Sequence, residues 1–400
     1  MVAKTVAEGE AVVRESFEEE PSLQLVSSLY GRAAPSIAEV MSMLYENKNV
    51  GGLVKKYRDQ GQIDKNVAME LDVLLDEVAI CLQRLEQFTW FLHGRAASKA
   101  SGEETKEQQH HALQLLRNNT VEVQKAKLIS GYIPLEESFM RHSVEKAIKT
   151  SDRDDDNKVS SLVDEVFFVL KRCTHRAVQT SSLNAMGDVI MYVNTILVTT
   201  YKEALEQLMG SSDSSGLHIS GGIANLFRGT AVGGHVSNLS MRQVLQSFDG
   251  TCYNNMEVSA EYIVKLHESL EAELRRVFGG ANRRDEDKAR ECMSELTSAT
   301  SVIRKSLQDA VSRLASVLGN FFQQHLQAIT QIDYEDAEGG YAESPAVAEF
   351  VGAVESTIDP FRDELNAANF DNLVLTIVDE LVVPALEKLL LGRKAVPLSQ

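Results

Sequence analysis

The sequence predicts an all-α protein, built as an elongated rod of successive helical bundles. Only seven of its 400 residues are proline, whereas average usage would give about 20. No proline occurs between Pro134 and Pro345. Because proline breaks helix interiors, its absence over this distance favours long helices. No segment shows the sustained alternation of apolar and polar residues, bounded by turn residues, that is typical of strands.

Apolar residues recur at the three- and four-residue spacing of amphipathic helices. One series begins at Leu162 and ends at Cys173, and a second begins at Met186 and ends at Leu205. The series lack strict heptads, which favours helical bundles over a coiled coil. The longest series extends for about ten helical turns and contains Met293, Leu296, Ile303, Leu307, Ala310, Leu314, Leu318, Phe321, His325 and Ile329.

Segments rich in glycine, serine and charged residues interrupt the helical pattern and predict the domain boundaries. They include the charged run at 151–158, the GSSDSSG linker at 210–216 and the acidic loop at 333–345. We therefore expect four successive domains: a helical bundle over residues 1–150, a second bundle over 151–210, a bundle of long helices over 211–332, and the start of a C-terminal bundle over 333–400.

The charge balance of the chain excludes several classes of partner. Lys and Arg total 40 and Asp and Glu total 58, which gives a formal net charge of −18. Such a field repels phosphate backbones and anionic lipids, so we expect no nucleic-acid partner and only indirect membrane association. The most apolar windows, residues 190–198 and 373–383, are too short to span a bilayer.

Motifs that carry catalysis or hold metals are absent from the sequence. It contains neither HExxH, nor GxSxG, nor the GxxxxGK[ST] phosphate loop. Cys173 and His175 form a C-x-H pair with no second pair nearby, although a zinc site needs three or four convergent ligands. We therefore predict a protein that is not an enzyme and that has no cofactor and no metal.

Two sequence blocks are more specific than helical periodicity requires. The first block, LISGYIPLEESFMRHSVEKAI, occupies residues 128–148, and the second, SSLVDEVFFVLKRCTHRA, occupies residues 160–177. Both blocks resemble the signature of subunit 4 of the conserved oligomeric Golgi (COG) complex. The signature residues are Gly131, Tyr132, Leu135, Glu136, Glu137, Phe139, Met140 and Arg141 in the first block, and Val163, Asp164, Glu165, Phe167, Lys171 and Arg176 in the second.

This resemblance implies a non-enzymatic subunit of a Golgi vesicle-tethering complex that acts in retrograde intra-Golgi transport. The implied partners are the other COG subunits, together with a Golgi syntaxin-type SNARE and a Sec1/Munc18-type protein. The implied location is cytoplasmic, peripheral on the cytosolic face of Golgi membranes. The chain would be the middle portion of the subunit, without its N-terminal coiled-coil part and last C-terminal helices. The alternative is a general helical scaffold or cytoskeletal adaptor, which apolar periodicity alone permits.

We expect the signature residues to shape junctions between helices and not to bind a ligand. Pro134 suits the first turn of a helix, because its missing N–H is not needed there. Glu136 and Glu137 would then face the positive end of that helix dipole. In the second block, Phe167 belongs to an apolar stripe and is expected to be buried. We also expect the single tryptophan, Trp90, to pack against a neighbouring helix; the alternative is that it is an exposed anchor for a partner helix.

Overall fold

The structure is a computed structural model that describes residues 23–60, 65–97, 119–151, 158–210, 240–278, 283–330 and 345–392. All regular elements within these ranges are helical, and none of them is a strand. The predicted all-α fold class is therefore confirmed. None of the helices in these ranges has the length and hydrophobicity needed to cross a membrane.

The helices are numbered here in chain order. They are α1 (Leu23–Asn47), α2 (Val50–Gln60), α3 (Lys65–Ala97), α4 (Asn119–Thr150), α5 (Ser161–Gln179), α6 (Leu183–Ile196), α7 (Lys202–Gly210), α8 (Met241–Ser247), α9 (Gly250–Phe278), α10 (Arg283–Thr330), α11 (Pro345–Ile358), α12 (Ala367–Ile377) and α13 (Val383–Gly392). A π-helical turn, Leu197–Tyr201, links α6 to α7, and another, Val378–Val382, links α12 to α13.

The longest predicted apolar series corresponds to α10, which is 48 residues long. Its buried face includes Met293, Leu307 and Leu318, as the spacing predicts. The prediction is wrong near the end of the helix, where Phe322 and Leu326 are buried and Phe321 and His325 are partly exposed. A step of four residues after Leu318 keeps the apolar side chains on one face, whereas the predicted step of three rotates them away from it.

The chain divides into two compact units, each assembled from segments far apart in sequence. Unit 1 contains residues 1–146, 168–194 and 266–295. Its interior includes long side chains from α3, α4 and α5, which is the usual arrangement when amphipathic helices bury their apolar faces against one another. The fully buried side chains include Leu75, Leu82, Leu128, Tyr132, Leu135 and Met140.

Unit 2 contains residues 147–167, 195–265 and 296–400. The buried side chain of Asn254 ties its segments together. The Asn254 amide donates to the carbonyl oxygens of Lys158 and Glu364, each at 2.9 Å, and its Oδ1 accepts from the Asn366 N–H at 2.8 Å. These bonds satisfy backbone groups beside the helix ends, where helices leave them unpaired. The four-domain division in chain order remains a prediction.

Trp90 corrects a further expectation. Its side chain is 41% exposed, so the predicted close packing against a neighbouring helix is wrong. Its neighbours along α3 explain the exposure, because Leu85 and Leu92 take the buried positions of this part of the helix. Helical periodicity then directs Trp90 away from the core.

Candidate functional site

The first signature block lies entirely within α4, not at the start of a helix. α4 begins at Asn119 and continues through both Gly131 and Pro134. The expected helix start at Pro134 is therefore wrong. Burial of one face of α4, from Val121 to Val144, explains why the helix continues, since tertiary packing routinely overrides local propensity. Glu136 accordingly does not face the positive end of a helix dipole.

Glu136 instead forms a buried ion pair with Arg176 of the second block. Arg176 Nη2 lies 2.8 Å from Glu136 Oε1, and Arg176 Nε donates to Glu136 Oε2 at 2.9 Å. This two-pronged geometry suits the planar guanidinium and makes the pair strong. Glu136 is 0% exposed and Arg176 is 3% exposed. The two blocks of the sequence signature thus meet through this charged contact inside unit 1.

Two carboxylates of α3 and a second arginine of α5 complete this group, which we call the Arg176 cluster: Asp72, Asp76, Glu136, Arg172 and Arg176. Arg176 Nη1 donates to Asp72 Oδ1 at 2.8 Å and to Asp76 Oδ1 at 2.9 Å. Arg172 Nε donates to Asp72 Oδ1 at 2.8 Å, and Arg172 Nη2 donates to Asp76 Oδ2 at 3.0 Å. The cluster therefore fastens α3, α4 and α5 to one another.

The titration behaviour of the cluster follows from burial and from this pairing. Burial opposes ionisation of Asp72, but hydrogen bonds from Arg172 and Arg176 outweigh it and hold the pKa of Asp72 below its ordinary value. Burial, reinforced by the charge of Glu136, raises the pKa of Tyr132 and that of the Cys173 thiol well above their ordinary values. Tyr132 and Cys173 therefore stay protonated at neutral pH, which suits a structural role and not nucleophilic chemistry.

Sequence reasoning identified Glu136 and Arg176 but missed the rest of the cluster. A signal for it exists in the spacing. Asp72 and Asp76 are four residues apart on α3, and Arg172 and Arg176 are four residues apart on α5. Residues four apart share a helix face, so two acids on one helix can meet two arginines on another. The sequence does not say which helices face each other, and only the fold pairs them.

Gly131 is required by a close approach of helices. A Cβ added at this position would lie 2.5 Å from Val50 Cγ1 and 3.3 Å from Tyr45 Cε2. Val50 is itself buried and branched at Cβ, so it has little freedom to move away. The first-block glycine thus lets α4 approach the start of α2.

Gly131→Ala is therefore expected to destabilise the protein by about 1–3 kcal/mol, through overpacking against Val50. Gly31→Ala is the matched control, because Gly31 also lies within a helix and nothing lies within 4 Å of its added Cβ. The control is expected to stabilise by about 0.5–1 kcal/mol. Urea unfolding followed by circular dichroism checks both values. A stabilising Gly131→Ala would contradict the close approach.

In the second block, Phe167 lies in an aromatic cluster of unit 2. Its ring centroid is 5.3 Å from that of Tyr262 and 6.1 Å from that of Tyr201, both in edge-to-face geometry. The Tyr201 hydroxyl lies 2.7 Å from Ser259 Oγ, and the Tyr262 hydroxyl donates to Asp164 at 2.9 Å. Aromatic pairs of this geometry add to the stability gained from burial.

The other signature residues divide between the core and the surface. Phe139 lies beneath the Arg176 guanidinium, whose Cζ is 5.3 Å from the ring centroid. Glu137 is half-buried. The buried members are Gly131, Tyr132, Leu135, Phe139, Met140 and Val163, and the exposed members are Arg141, Asp164, Glu165 and Lys171.

This arrangement holds three helices together through paired charges. The charges of the Arg176 cluster are mutually paired, so its carboxylates are not poised as a general acid or base. Across the described ranges, no group of three or more His, Cys, Asp or Glu residues is placed to hold a metal ion. Cys173 and His175, considered above as a ligand pair, diverge. Cys173 is buried, whereas His175 Nδ1 lies 2.6 Å from Glu273 of α9.

Comparison with known proteins assigns both halves of the chain to related families. Residues 1–209 match the family described as "COG4 transport protein, middle alpha-helical bundle". Residues 251–396 match the family described as "Conserved oligomeric Golgi complex subunit 4, C-terminal". The signature blocks indicated a middle portion, and the second match adds the C-terminal region.

Curated relatives agree with these matches. The chain is 27% identical to conserved oligomeric Golgi complex subunit 4 of Arabidopsis thaliana over 329 residues, which are 81% of this chain and 42% of the relative. It is 27% identical to the Homo sapiens protein of the same name over 348 residues, covering 80% of this chain and 44% of the relative. The Drosophila melanogaster protein of the same name is 24% identical over 332 residues, covering 81% of this chain and 43% of the relative. The chain thus spans less than half the length of these relatives.

Proposed function

The chain belongs to the family of subunit 4 of the conserved oligomeric Golgi complex, and on this premise we propose that it works as a non-enzymatic part of a Golgi vesicle-tethering complex. The observation that carries this proposal is the pair of family matches, which together take in residues 1–209 and 251–396. We further propose that the complex acts in retrograde intra-Golgi transport. The proposed partners are the other COG subunits, a Golgi syntaxin-type SNARE and a Sec1/Munc18-type protein.

Such a subunit performs no chemistry and acts through surface contacts between helices. An exposed apolar side chain on a rigid helix is the usual anchor for a partner helix. Phe168, Met69 and Val40 are the most exposed large apolar side chains on the described helices, at 67%, 63% and 61%. Several weak contacts of this kind, presented on one scaffold, combine into strong binding through effective concentration.

Localisation of the full-length protein tests the proposal in cells. A fluorescently tagged protein is expected to colocalise with Golgi membranes, to be digested by protease added to the cytosolic side, and to disperse when another COG subunit is depleted. These results follow from peripheral attachment through partner proteins. A distribution along actin filaments or microtubules, unchanged by that depletion, would instead support the cytoskeletal-adaptor alternative.

A further inference from the structure

Unit 1 contains a groove of about 900 Å³ that lies outside the Arg176 cluster. Three helical segments line it: residues 122–133 of α4, residues 183–191 of α6 and residues 288–295 of α10. Its apolar lining comes from α4 and α6, and Met191 within it is 51% exposed. The apolar members of the lining are Ala126, Ile129, Ile133, Leu183 and Met191.

The charges that line this groove are predominantly negative. Four carboxylates face it, from Glu122, Asp188, Glu291 and Glu295, against the two ammonium groups of Lys125 and Lys288. Lys125 is already engaged, because its Nζ forms an ion pair with Glu86. The groove therefore combines an apolar interior with more acidic than basic side chains in its lining.

The thiol of Cys292 lies in the wall of the groove, beside these acids. Burial, followed by the charges of Glu291, Asp188 and Glu295, raises the pKa of Cys292 above its ordinary value. Cys292 also packs against α6, because a Cβ added at Gly187 would lie 3.1 Å from its Sγ. The absence of a side chain at Gly187 thus leaves room at the junction of α6 and α10.

We propose that this groove binds an amphipathic helix of a partner protein whose apolar face is flanked by lysine or arginine. An apolar groove with a methionine in its wall adapts well to the apolar face of a helix. Acids around the groove then select basic flanks and repel acidic ones, which sets specificity and speeds association. The α4 wall is roughly 17 Å long at 1.5 Å per residue, enough for about three helical turns.

A second copy of this chain fits the groove poorly. The chain carries a formal net charge of −18, so a helix from another copy approaches an acidic groove against a repulsive field. A basic helix is attracted by the same field. Binding of such a helix should weaken as salt is added, because exposed charges are screened over about 10 Å at 0.1 M ionic strength.

A fluorescent amphipathic peptide of about 14 residues, made of leucine and lysine, provides the probe, and its leucine/glutamate counterpart is the negative probe. Anisotropy titration of the whole chain is expected to show saturable, salt-sensitive binding of the lysine peptide alone. Glu122→Lys combined with Glu291→Lys is expected to weaken that binding about tenfold or more, because both substitutions put like charge beside the peptide. Both positions are exposed, and the circular dichroism melt shows whether the variant is folded.

The matched control is Glu355→Lys combined with Asp363→Lys, which changes the net charge equally at two exposed positions of unit 2. It is expected to leave the affinity within about twofold, since neither side chain lines the groove and the charges of exposed side chains are screened by salt. Met191→Gln, which removes an apolar contact without a charge, is expected to weaken binding as well. The proposal would be overturned if the groove variant and the control lost affinity for the lysine peptide equally. Binding of the glutamate peptide, or no binding of the lysine peptide, would overturn it as well.

The groove would provide one of the subunit contacts of the proposed tether, so the identity of its natural partner rests on the proposed function. The peptide titration measures the groove alone. If the lysine peptide does not bind but the full-length protein localises to the Golgi, the groove proposal is rejected and the family-based function stands. If the lysine peptide binds but the full-length protein follows the cytoskeleton, the groove proposal stands and the family-based function is rejected.

Discussion

Arg176→Met is expected to lower the free energy of unfolding by about 3–5 kcal/mol, the cost of breaking a buried ion pair by removing one partner. The substitution leaves the fully buried Glu136 carboxylate without its guanidinium, and it also removes a hydrogen-bond donor from Asp72 and Asp76. Methionine fills a similar volume, so the loss measures charge pairing more than packing. Urea unfolding followed by circular dichroism provides the measurement.

The controls separate the ion pair from a general effect of removing arginine. Arg141→Met removes an exposed arginine from the first block and is expected to change stability by less than about 0.5 kcal/mol. Arg176→Met combined with Glu136→Met leaves no unpaired charge on α4 and is expected to recover much of the loss, because apolar replacement of a buried pair is often neutral. Equal stability of Arg176→Met and Arg141→Met would show that the cluster does not fasten these helices.

Phe167→Asp is expected to destabilise the protein by about 4 kcal/mol or more, since removal of a buried phenylalanine alone costs about 3–5 kcal/mol. The new carboxylate would also enter a site closed by the rings of Tyr201 and Tyr262, where burying a charge is costly. Asp164, the hydrogen-bond acceptor of Tyr262, adds a like charge nearby. A thermal melt followed by circular dichroism should show a clear fall in Tm.

The adjacent residue provides a control at the same point of the helix. Phe168 is 67% exposed, so Phe168→Asp is expected to change stability by less than about 0.5 kcal/mol. The two variants therefore test which face of α5 is buried. They do not test helical propensity, because both substitutions change it equally. If both variants melt together with the unmodified protein, Phe167 is not part of a core.

The sequence predicted the fold where apolar periodicity decides it. The missing prolines and the apolar series from Met293 identified the long helix α10, because a series of that length leaves few alternative structures. The same reasoning failed at Phe321 and His325, since a step of three or four residues after Leu318 satisfies helical spacing equally well. Packing against the rest of the unit places Phe322 and Leu326 in the buried positions. Periodicity alone carries no information about that packing.

The Arg176 cluster was only half predictable for a similar reason. The family resemblance identified Glu136 and Arg176, and the local rules for proline and glutamate then placed Glu136 wrongly at a helix start. Those rules describe an isolated helix, whereas α4 is held by burial on both sides of Pro134. Arg176 is 40 residues from Glu136 and about 100 residues from Asp72 in sequence. Whether these residues pair depends on which helices are neighbours in the fold.

Affinity capture of the full-length protein from cytosol, followed by identification of the bound proteins, tests the central claim most directly. We predict that the other COG subunits are recovered together, and that they are lost when the tagged protein is replaced by a tag alone. Recovery of actin or microtubule proteins without any COG subunit would contradict the assignment of this chain to Golgi tethering.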